Sequence, residues 1–198
     1  MSNIEHNTKL LIQAAKEGNP EEVRRLIPLS DPKRDDSAAL CYAARNGHAD
    51  CVELLIPVSD PKANGSWALQ EAAARGKTQC VELLIPVSIP KAIDSYALRI
   101  AAQTGHVKCV ELLIPVSDPK AKNSAALSAA ARKGHTPCVE LLYPVSDLSA
   151  ALKQLQRFFP DDYNTWGFLY EMVEAERGRK TLNSEIGSAT AVQAQRKM

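Results

Sequence analysis

The chain has 198 residues, of which 45% are hydrophobic and 24% charged, a composition typical of one soluble globular domain. Lys and Arg together number 24 and Asp and Glu number 23, so the chain as a whole has no positive field to attract a phosphate backbone or an anionic membrane. Nucleic acid is therefore not expected as the main partner.

The N-terminal sequence MSNIEHNTKLLIQ has no basic segment followed by an apolar run, and no stretch approaches about 18 consecutive apolar residues. We therefore expect a cytoplasmic protein without a membrane partner, or one that is exported by a route with no such signal.

The first predicted elements are two short helices within residues 8–28. Leu11, Ala14 and Ala15 form an apolar stripe at helical spacing, and Gly18 ends the first helix. The second helix carries a similar stripe. A helix pair of this size is too small to bury its own apolar face, so it needs a neighbour.

Four further copies of this pattern follow, each 29 residues after the last, beginning at Ser37, Ser66, Ser95 and Ser124. Each copy has the sequence S-x-A-L-x-x-A-A-x-x-G-[HK]-x-x-C-V-E-L-L-[IY]-P. The serine is expected to cap the first helix and the glycine to end it, and the second helix, about His48 to Ile56 in the first of these copies, stops at proline. A fixed period of this length predicts a repeat solenoid.

Residues 8–36 are then a divergent first repeat. It has Glu22 and Arg25 where the later repeats have cysteine and leucine, which is typical of an N-terminal capping repeat whose outer side meets water.

Four of the five cysteines occupy one position of the repeat: Cys51, Cys80, Cys109 and Cys138. Equivalent helices in a stack lie about 8–10 Å apart, which is too far for a disulfide. We interpret these cysteines, and also Cys41, as free, small and buried hydrophobic side chains.

The connector between repeats, P-V-S-D-P-K-A, holds nine of the twelve prolines. Residues before proline are disfavoured in the helical conformation, so we expect a stiff and extended link. The residue before the second proline is usually aspartate, but one connector has Ile89 there and a further isoleucine at Ile93. An apolar residue in an exposed connector is a candidate contact.

After residue 148 the repeat dissolves. We expect a helix at 149–159, a turn at 160–162, and a longer helix from 165 to about 186. The longer helix has one apolar stripe: Trp166, Leu169, Tyr170 and Val173. Because the last repeat has an apolar face that needs covering, we interpret 149–186 as a helical C-terminal cap, rather than its aromatic residues as a binding anchor, and 187–198 as a disordered tail. The preceding repeats are bounded at 8–36, 37–65, 66–94, 95–123 and 124–148.

The run SAALCYAARNGHADCVELLIP resembles an ankyrin repeat, whose helix pair carries A-L-x-x-A-A-x-x-G-H followed by V-V-x-L-L-L. The matching positions are Leu40, Ala43, Ala44, Gly47, His48, Val52, Leu54 and Leu55. The resemblance covers residues 8–144 in five copies. It departs from the family in having S-x-A-L for the T-P-L-H tetrapeptide and a period of 29 where about 33 is usual. The missing residues fall in the connector, so the family's projecting β-turn fingers are expected to be truncated. The near-identity of the copies is similar to ankyrin-like arrays from bacteria or protists.

The resemblance implies an all-α ankyrin-like helix-turn-helix solenoid that binds another protein through a concave face made of first helices and connectors. Candidate partner-binding residues are those that vary before each glycine, together with apolar, aromatic and arginine residues near the centre: Arg45, Asn46, Trp67, Arg75, Ile89, Ile93, Tyr96, Arg99, Gln103, Thr104, Arg132 and Lys133. An alternative remains open, in which Trp67 and Tyr96 pack beneath Ile89 and Ile93 as a small satellite core.

No metal site or cofactor is expected. Three H-x-x-C pairs, at 48–51, 106–109 and 135–138, contain possible zinc ligands, but each lies a full repeat from the next and a structural zinc site needs four convergent ligands. We interpret the histidines as polar anchors at the start of the second helices. The glutamate row that includes Glu53 and the lysine row that includes Lys33 are interpreted as solvated edges.

Two functions follow. The leading one is a cytoplasmic, non-enzymatic adaptor, inhibitor or effector that acts as a monomer and binds another protein. The alternative is an effector, toxin or enzyme whose active part is 145–198, with the repeats used for targeting. Against the alternative, that region has no histidine or cysteine, and the chain has no nucleophile-elbow, Walker or H-E-x-x-H motif.

Overall fold

The computed structural model describes residues 3–159, 167, 169–175 and 177–178. The helices, in chain order, are α1 Asn3–Glu17, α2 Pro20–Leu26, α3 Arg34–Asn46, α4 Ala49–Leu55, α5 Ala63–Ala74, α6 Thr78–Leu84, α7 Ala92–Thr104, α8 Val107–Leu113, α9 Ala121–Arg132, α10 Thr136–Leu142 and α11 Leu148–Phe158. The described residues at 167, 169–175 and 177–178 are also helical, and no strand occurs in any of these ranges. The fold is the predicted all-α repeat solenoid.

The helices form two layers. The first helices of the repeats pack in series, and α11 continues their layer: α1, α3, α5, α7, α9 and α11. The second helices form the other layer: α2, α4, α6, α8 and α10. Each pair contributes a leucine from either layer to one continuous core, for example Leu98 from α7 and Leu113 from α8, both fully buried. Burying each such side chain stabilises the fold by about 1.5–3 kcal/mol.

All five cysteines are buried and free, and they lie in or beside this core. Burial, with a smaller effect from the carboxylates of Glu71 and Asp36, raises the pKa of the Cys41 thiol to about 12. Burial raises the pKa of Cys80 to about 11. The cysteines therefore act as small apolar side chains, as the sequence predicts.

The connectors are not the extended links that the prolines predict. Three residues such as Ile85–Val87 form a 3-10 turn with the proline at its second position. Proline fits there because its fixed φ suits a helical turn and its missing N–H is not needed in a first turn. Ile85, which precedes the proline, stays helical (φ −50°, ψ −51°), whereas Ser88 is extended (φ −102°, ψ −172°).

A left-handed turn opens each of the helices α3, α5, α7 and α9. Its residues are Asp35, Asp36 and Ser37; Asn64, Gly65 and Ser66; Ile93, Asp94 and Ser95; and Lys122, Asn123 and Ser124, all with φ between 46° and 66°. This conformation costs an L-residue about 1–2 kcal/mol, and glycine, asparagine and aspartate tolerate it best. Half of the residues in these turns are glycine, asparagine or aspartate, whereas Ile93 is β-branched and its backbone is strained.

The predicted serine caps are wrong. Ser37 has a φ of 61°, whereas a capping residue needs an extended backbone. Its Oγ instead accepts a hydrogen bond from the backbone N–H of Asp60, 2.8 Å away and 23 residues further on. The same bond recurs in the other repeats, where Thr8, Ser66, Ser95 and Ser124 accept from Asp31, Ile89, Asp118 and Asp147. The hydroxyl thus joins the two ends of one repeat.

The two ends of the stack differ from its interior. In the first repeat, Glu22 and Arg25 pair with each other at the surface, which agrees with the predicted water-facing side. At the other end α11 packs against α9, and the Asp147 carboxylate caps α11 by accepting from the Ala150 N–H at 2.9 Å.

Beyond α11, Leu169 and Val173 are buried as the predicted stripe requires, whereas Tyr170 is 38% exposed and does not share their buried side. The predicted turn at 160–162, Trp166 and the tail at 187–198 lie outside the described residues. No helix in the described ranges combines the length and the apolar character needed to cross a bilayer.

Candidate partner-binding groove

Three adjacent hollows lie along the layer of first helices. The N-terminal hollow lies at the C-terminal ends of α3 and α5, the central hollow on α5 and α7, and the C-terminal hollow on α7, α9 and α11. Arg99 lines both the central and the C-terminal hollow, and an ion pair joins the central hollow to the N-terminal one. We call the three hollows together the groove.

The central hollow is the apolar part of the groove, with a volume of about 350 Å³. Its apolar walls are Trp67, Ile93, Tyr96 and Ile100, at helical spacing on α5 and α7. The guanidinium of Arg99 lies 4.8 Å from the centre of the Tyr96 ring, within the range of a cation–π contact. An aromatic and aliphatic hollow of this size accommodates one large side chain.

Ile93 stands out in this hollow because it is both strained and exposed. Its φ is 50° and 53% of its surface is accessible. The same position of the other left-handed turns holds Asp35, Asn64 and Lys122. Ile93 packs over Gly65, where an added Cβ would lie 2.9 Å from Ile93 Cδ1. The glycine therefore makes room for an isoleucine that neither the core nor the backbone requires.

The N-terminal hollow is polar and cationic, with a volume of about 450 Å³. It is lined by Arg45, Asn46, His48, Arg75 and Lys77. Asn46 Nδ2 and His48 Nε2 are hydrogen-bonded to a backbone carbonyl of the preceding repeat, whereas Arg45 Nε lies 3.5 Å from a carboxylate oxygen of Glu71. Glu71 also lines the central hollow and accepts a hydrogen bond from the Trp67 indole at 3.4 Å.

The C-terminal hollow combines cations with aromatic rings in about 410 Å³. Arg99, Lys122 and Arg132 line it from α7 and α9, and Phe158 and Phe159 from the end of α11. The Arg132 guanidinium lies 5.5 Å from the Phe159 ring centre, and Lys122 Nζ lies 3.1 Å from an Asp94 oxygen.

The family model for ankyrin repeats in three copies matches residues 11–94 and 69–151. The chain belongs to the ankyrin repeat family. This confirms the resemblance drawn from the sequence, and ankyrin repeats generally mediate protein–protein interaction. No curated protein matches the chain.

Nine of the twelve predicted partner-binding residues line the groove of this ankyrin solenoid: Arg45, Asn46, Trp67, Arg75, Ile93, Tyr96, Arg99, Gln103 and Arg132. Ile89, Thr104 and Lys133 do not line it. Ile89 is 47% exposed on its connector, and Thr104 donates its hydroxyl hydrogen to the Ile100 carbonyl at 2.8 Å.

The satellite-core alternative and the binding interpretation each describe part of the central hollow. Trp67 is partly buried and packs against the core, as the satellite-core alternative requires. Ile93 and Ile89 remain about half exposed, so they do not seal the aromatic rings from water. Partner contact at these residues stays a prediction.

The sequence prediction missed several residues of the groove: Glu71, Lys77, Ile100, Lys122, Phe158 and Phe159. Helical spacing was a sufficient signal for two of them, because Glu71 and Ile100 lie four residues after Trp67 and Tyr96 and so share their helix face. The two phenylalanines belong to the aromatic residues for which the sequence favours capping over a role as a binding anchor.

The predicted role of the histidines as polar anchors is confirmed. His135 Nε2 lies 3.1 Å from the Gln103 carbonyl, and His48 and His106 make the equivalent bond to the preceding repeat. The ring packs against the helix-ending glycine: a Cβ added at Gly105 would lie 2.7 Å from His135 Nδ1. Within the part of the chain described here, no three histidine, cysteine or carboxylate side chains cluster to hold a metal ion.

Proposed function

We propose that this chain is a non-enzymatic adaptor, inhibitor or effector that binds a partner protein through the concave face of its repeat stack, with the groove as the contact surface. The main support for the proposal is that Ile93 is both strained and exposed. A strained residue costs the fold stability, and here the strain holds an apolar side chain at the surface, beside Trp67 and Tyr96.

The composition of the central hollow supports the same conclusion. Tryptophan, tyrosine and arginine are the residue types that most often dominate the binding energy of protein interfaces, and they do so near the interface centre. Trp67, Tyr96 and Arg99 meet in the central hollow, with a further hollow on either side.

The buried cysteines fit a binding role in a reducing compartment. A nucleophilic cysteine needs an exposed thiol with a lowered pKa, whereas burial raises the pKa of Cys41 to about 12 and that of Cys80 to about 11. Free thiols throughout the repeats are also typical of the cytoplasm, where we place the protein.

The proposal is tested by affinity capture with chemical crosslinking and mass spectrometry, using wild type and two variants. Ile93→Asn removes the exposed apolar group and installs the residue that the preceding repeat has at Asn64. Glu82→Ala is the control, because Glu82 is exposed on α6 in the other layer. We expect crosslinks between the groove and a partner that is captured by wild type and by Glu82→Ala but lost with Ile93→Asn. Partners whose crosslinks map to α4, α6 or α8, and which Ile93→Asn retains, would contradict the proposal.

A further inference from the structure

The charges of the groove differ from those of the whole chain. Among the described residues, the groove is lined by one carboxylate, that of Glu71, and by six cationic side chains: Arg45, Arg75, Lys77, Arg99, Lys122 and Arg132. The whole chain has a formal net charge of only +1. The compensating carboxylates include the exposed row on the second helices: Glu53, Glu82, Glu111 and Glu140. The fold therefore separates charges that cancel in the composition.

Most of the groove cations have no carboxylate partner in the part of the chain that the structure describes. Among the described residues, Arg45 pairs with Glu71 and Lys122 with Asp94, whereas no carboxylate lies within ion-pair distance of Arg75, Lys77, Arg99 or Arg132. Like charges on one face repel each other, and an anionic ligand relieves that repulsion.

We propose that the groove binds an acidic linear segment of a partner protein, in which a large apolar side chain enters the central hollow and carboxylates on either side meet the cations of the two outer hollows. This inference rests on the proposed function and names the class of partner. Its charge complementarity is built on Arg75 and Lys77 at one end and on Arg99 and Arg132 at the other.

The repeat spacing sets the expected pattern of the segment. Neighbouring first helices lie about 8–10 Å apart, and an extended peptide advances about 3.3 Å per residue. Carboxylates are therefore expected about three residues before and after the apolar anchor, so that roughly ten residues span the groove.

A nucleic acid fits the groove less well than a peptide. The Glu71 carboxylate stands between the N-terminal and central hollows and would repel a phosphate chain that follows the groove. The central hollow is also partly aliphatic, with Ile93 and Ile100 in its walls, and Arg99 already lies over the Tyr96 ring on which a base would stack.

The test is selection of binders from a phage library of random dodecapeptides, with the full chain as bait. Enriched peptides are synthesised with a fluorophore, and their affinity is measured by anisotropy at about 50 and 200 mM NaCl. We expect one leucine or aromatic residue with Asp or Glu about three positions away on both sides, and affinity that falls with salt. Enrichment of neutral or basic peptides, or of none, would overturn the proposal.

Variants locate the binding. Arg75→Thr with Arg132→Gln removes two groove cations and installs residues that a neighbouring repeat has at Thr104 and Gln103. The control, Arg24→Gln with Lys108→Gln, removes two exposed charges from the second helices α2 and α8. We expect this groove-charge variant to bind the selected peptide about tenfold more weakly, because two exposed charge contacts are lost, and the control to bind within twofold of wild type.

The remaining outcomes separate the two proposals. If peptide binding is lost with Ile93→Asn but unaffected by the groove-charge variant, the acidic segment is wrong and the groove remains the protein-binding surface. If neither variant weakens binding, both proposals fail. A fluorescent oligo(dT) 12-mer serves as the comparison: tighter binding of the 12-mer than of any peptide, lost in the groove-charge variant, would assign the groove to nucleic acid and overturn the inference.

Discussion

The two layers of the stack carry different kinds of sequence. The second helices α4, α6, α8 and α10 share the block C-V-E-L-L, bury the same faces and expose the same glutamate. The first helices share a buried A-L-x-x-A-A core, but their outward positions change from repeat to repeat and line the groove. One layer therefore provides uniform stability, while the other holds differences, including the strained Ile93, that packing does not require.

A cavity in the uniform layer should have the largest effect on stability and leave binding unchanged. Leu84→Ala, in the core face of α6, should lower the free energy of unfolding by about 2–5 kcal/mol, because it leaves a cavity in a fully buried site. Glu82→Ala on the exposed side of the same helix should change it by less than about 0.5 kcal/mol. Urea denaturation measures both. Below its melting temperature Leu84→Ala should bind groove ligands as wild type does, and a loss of affinity without unfolding would contradict the division between layers.

The second prediction uses the buried thiols. Because burial raises the pKa of Cys41 to about 12, the unfolded chain releases this proton near pH 9 while the folded chain retains it. The contribution of the buried Cys41 thiol to the free energy of unfolding is therefore fully present below about pH 9. Above that pH this contribution falls by about 1.4 kcal/mol per pH unit. Cys41→Ser, with the residue that the last repeat has at Ser128, should lose about 2 kcal/mol less than wild type between pH 9 and 10.5. If the stability of wild type and of Cys41→Ser depends on pH in the same way, the Cys41 thiol is accessible to water.

The sequence predicts well what depends on period and burial. The repeated pattern predicts the leucine, alanine and cysteine positions of the core, the bounds of the second helices to within a residue, and the role of the histidines as polar anchors. Each of these features depends on side chains whose environment is the same in every copy.

The errors fall where the backbone departs from common conformations. Three successive left-handed residues are rare in non-glycine sequence, so a serine before a helix predicts a cap, whereas the Ser37 hydroxyl instead accepts a hydrogen bond from the Asp60 N–H. The separation of charge between the two layers is also not visible in the net charge, because the glutamates of one layer cancel the arginines of the other. The repeat pattern already makes Arg75 and Arg132 candidate partner-binding residues, and the fold adds that both line one groove with other cations.

The serine bonds give a prediction of intermediate size. Ser95→Ala should cost about 1–3 kcal/mol, because it leaves the Asp118 N–H without its 2.8 Å acceptor at a buried site. Hydrogen exchange of the Asp118 amide should accelerate in parallel. Ser149→Ala, at an exposed position of α11, is the matched control and should leave stability within about 0.5 kcal/mol. Equal stability of the two variants would mean that water replaces the hydroxyl.

The strain at Ile93 predicts a gain rather than a loss. Ile93→Asn places at a φ of 50° a residue that tolerates the left-handed conformation, so stability should rise by about 1 kcal/mol even though the contact with Gly65 is lost. Differential scanning calorimetry measures the shift. A matched control is Asn64→Ile, which should lower stability at the equivalent turn. If Ile93→Asn is destabilising, Ile93 serves packing and its exposure gives no argument for binding.

The smallest expected effect concerns Ile89, on the connector beside the groove. In three other connectors the equivalent aspartate accepts from the backbone N–H two residues on, as Asp60 does from Lys62 at 2.9 Å. Ile89→Asp should restore that bond at Lys91 and add about 0.5 kcal/mol. Because Ile89 does not line the groove, partner affinity should stay within twofold of wild type while Ile93→Asn abolishes it. Titration of the two variants against the partner therefore locates the edge of the contact surface. A loss of affinity in Ile89→Asp would mean that the partner also contacts the connector, with Ile89 as a second binding residue.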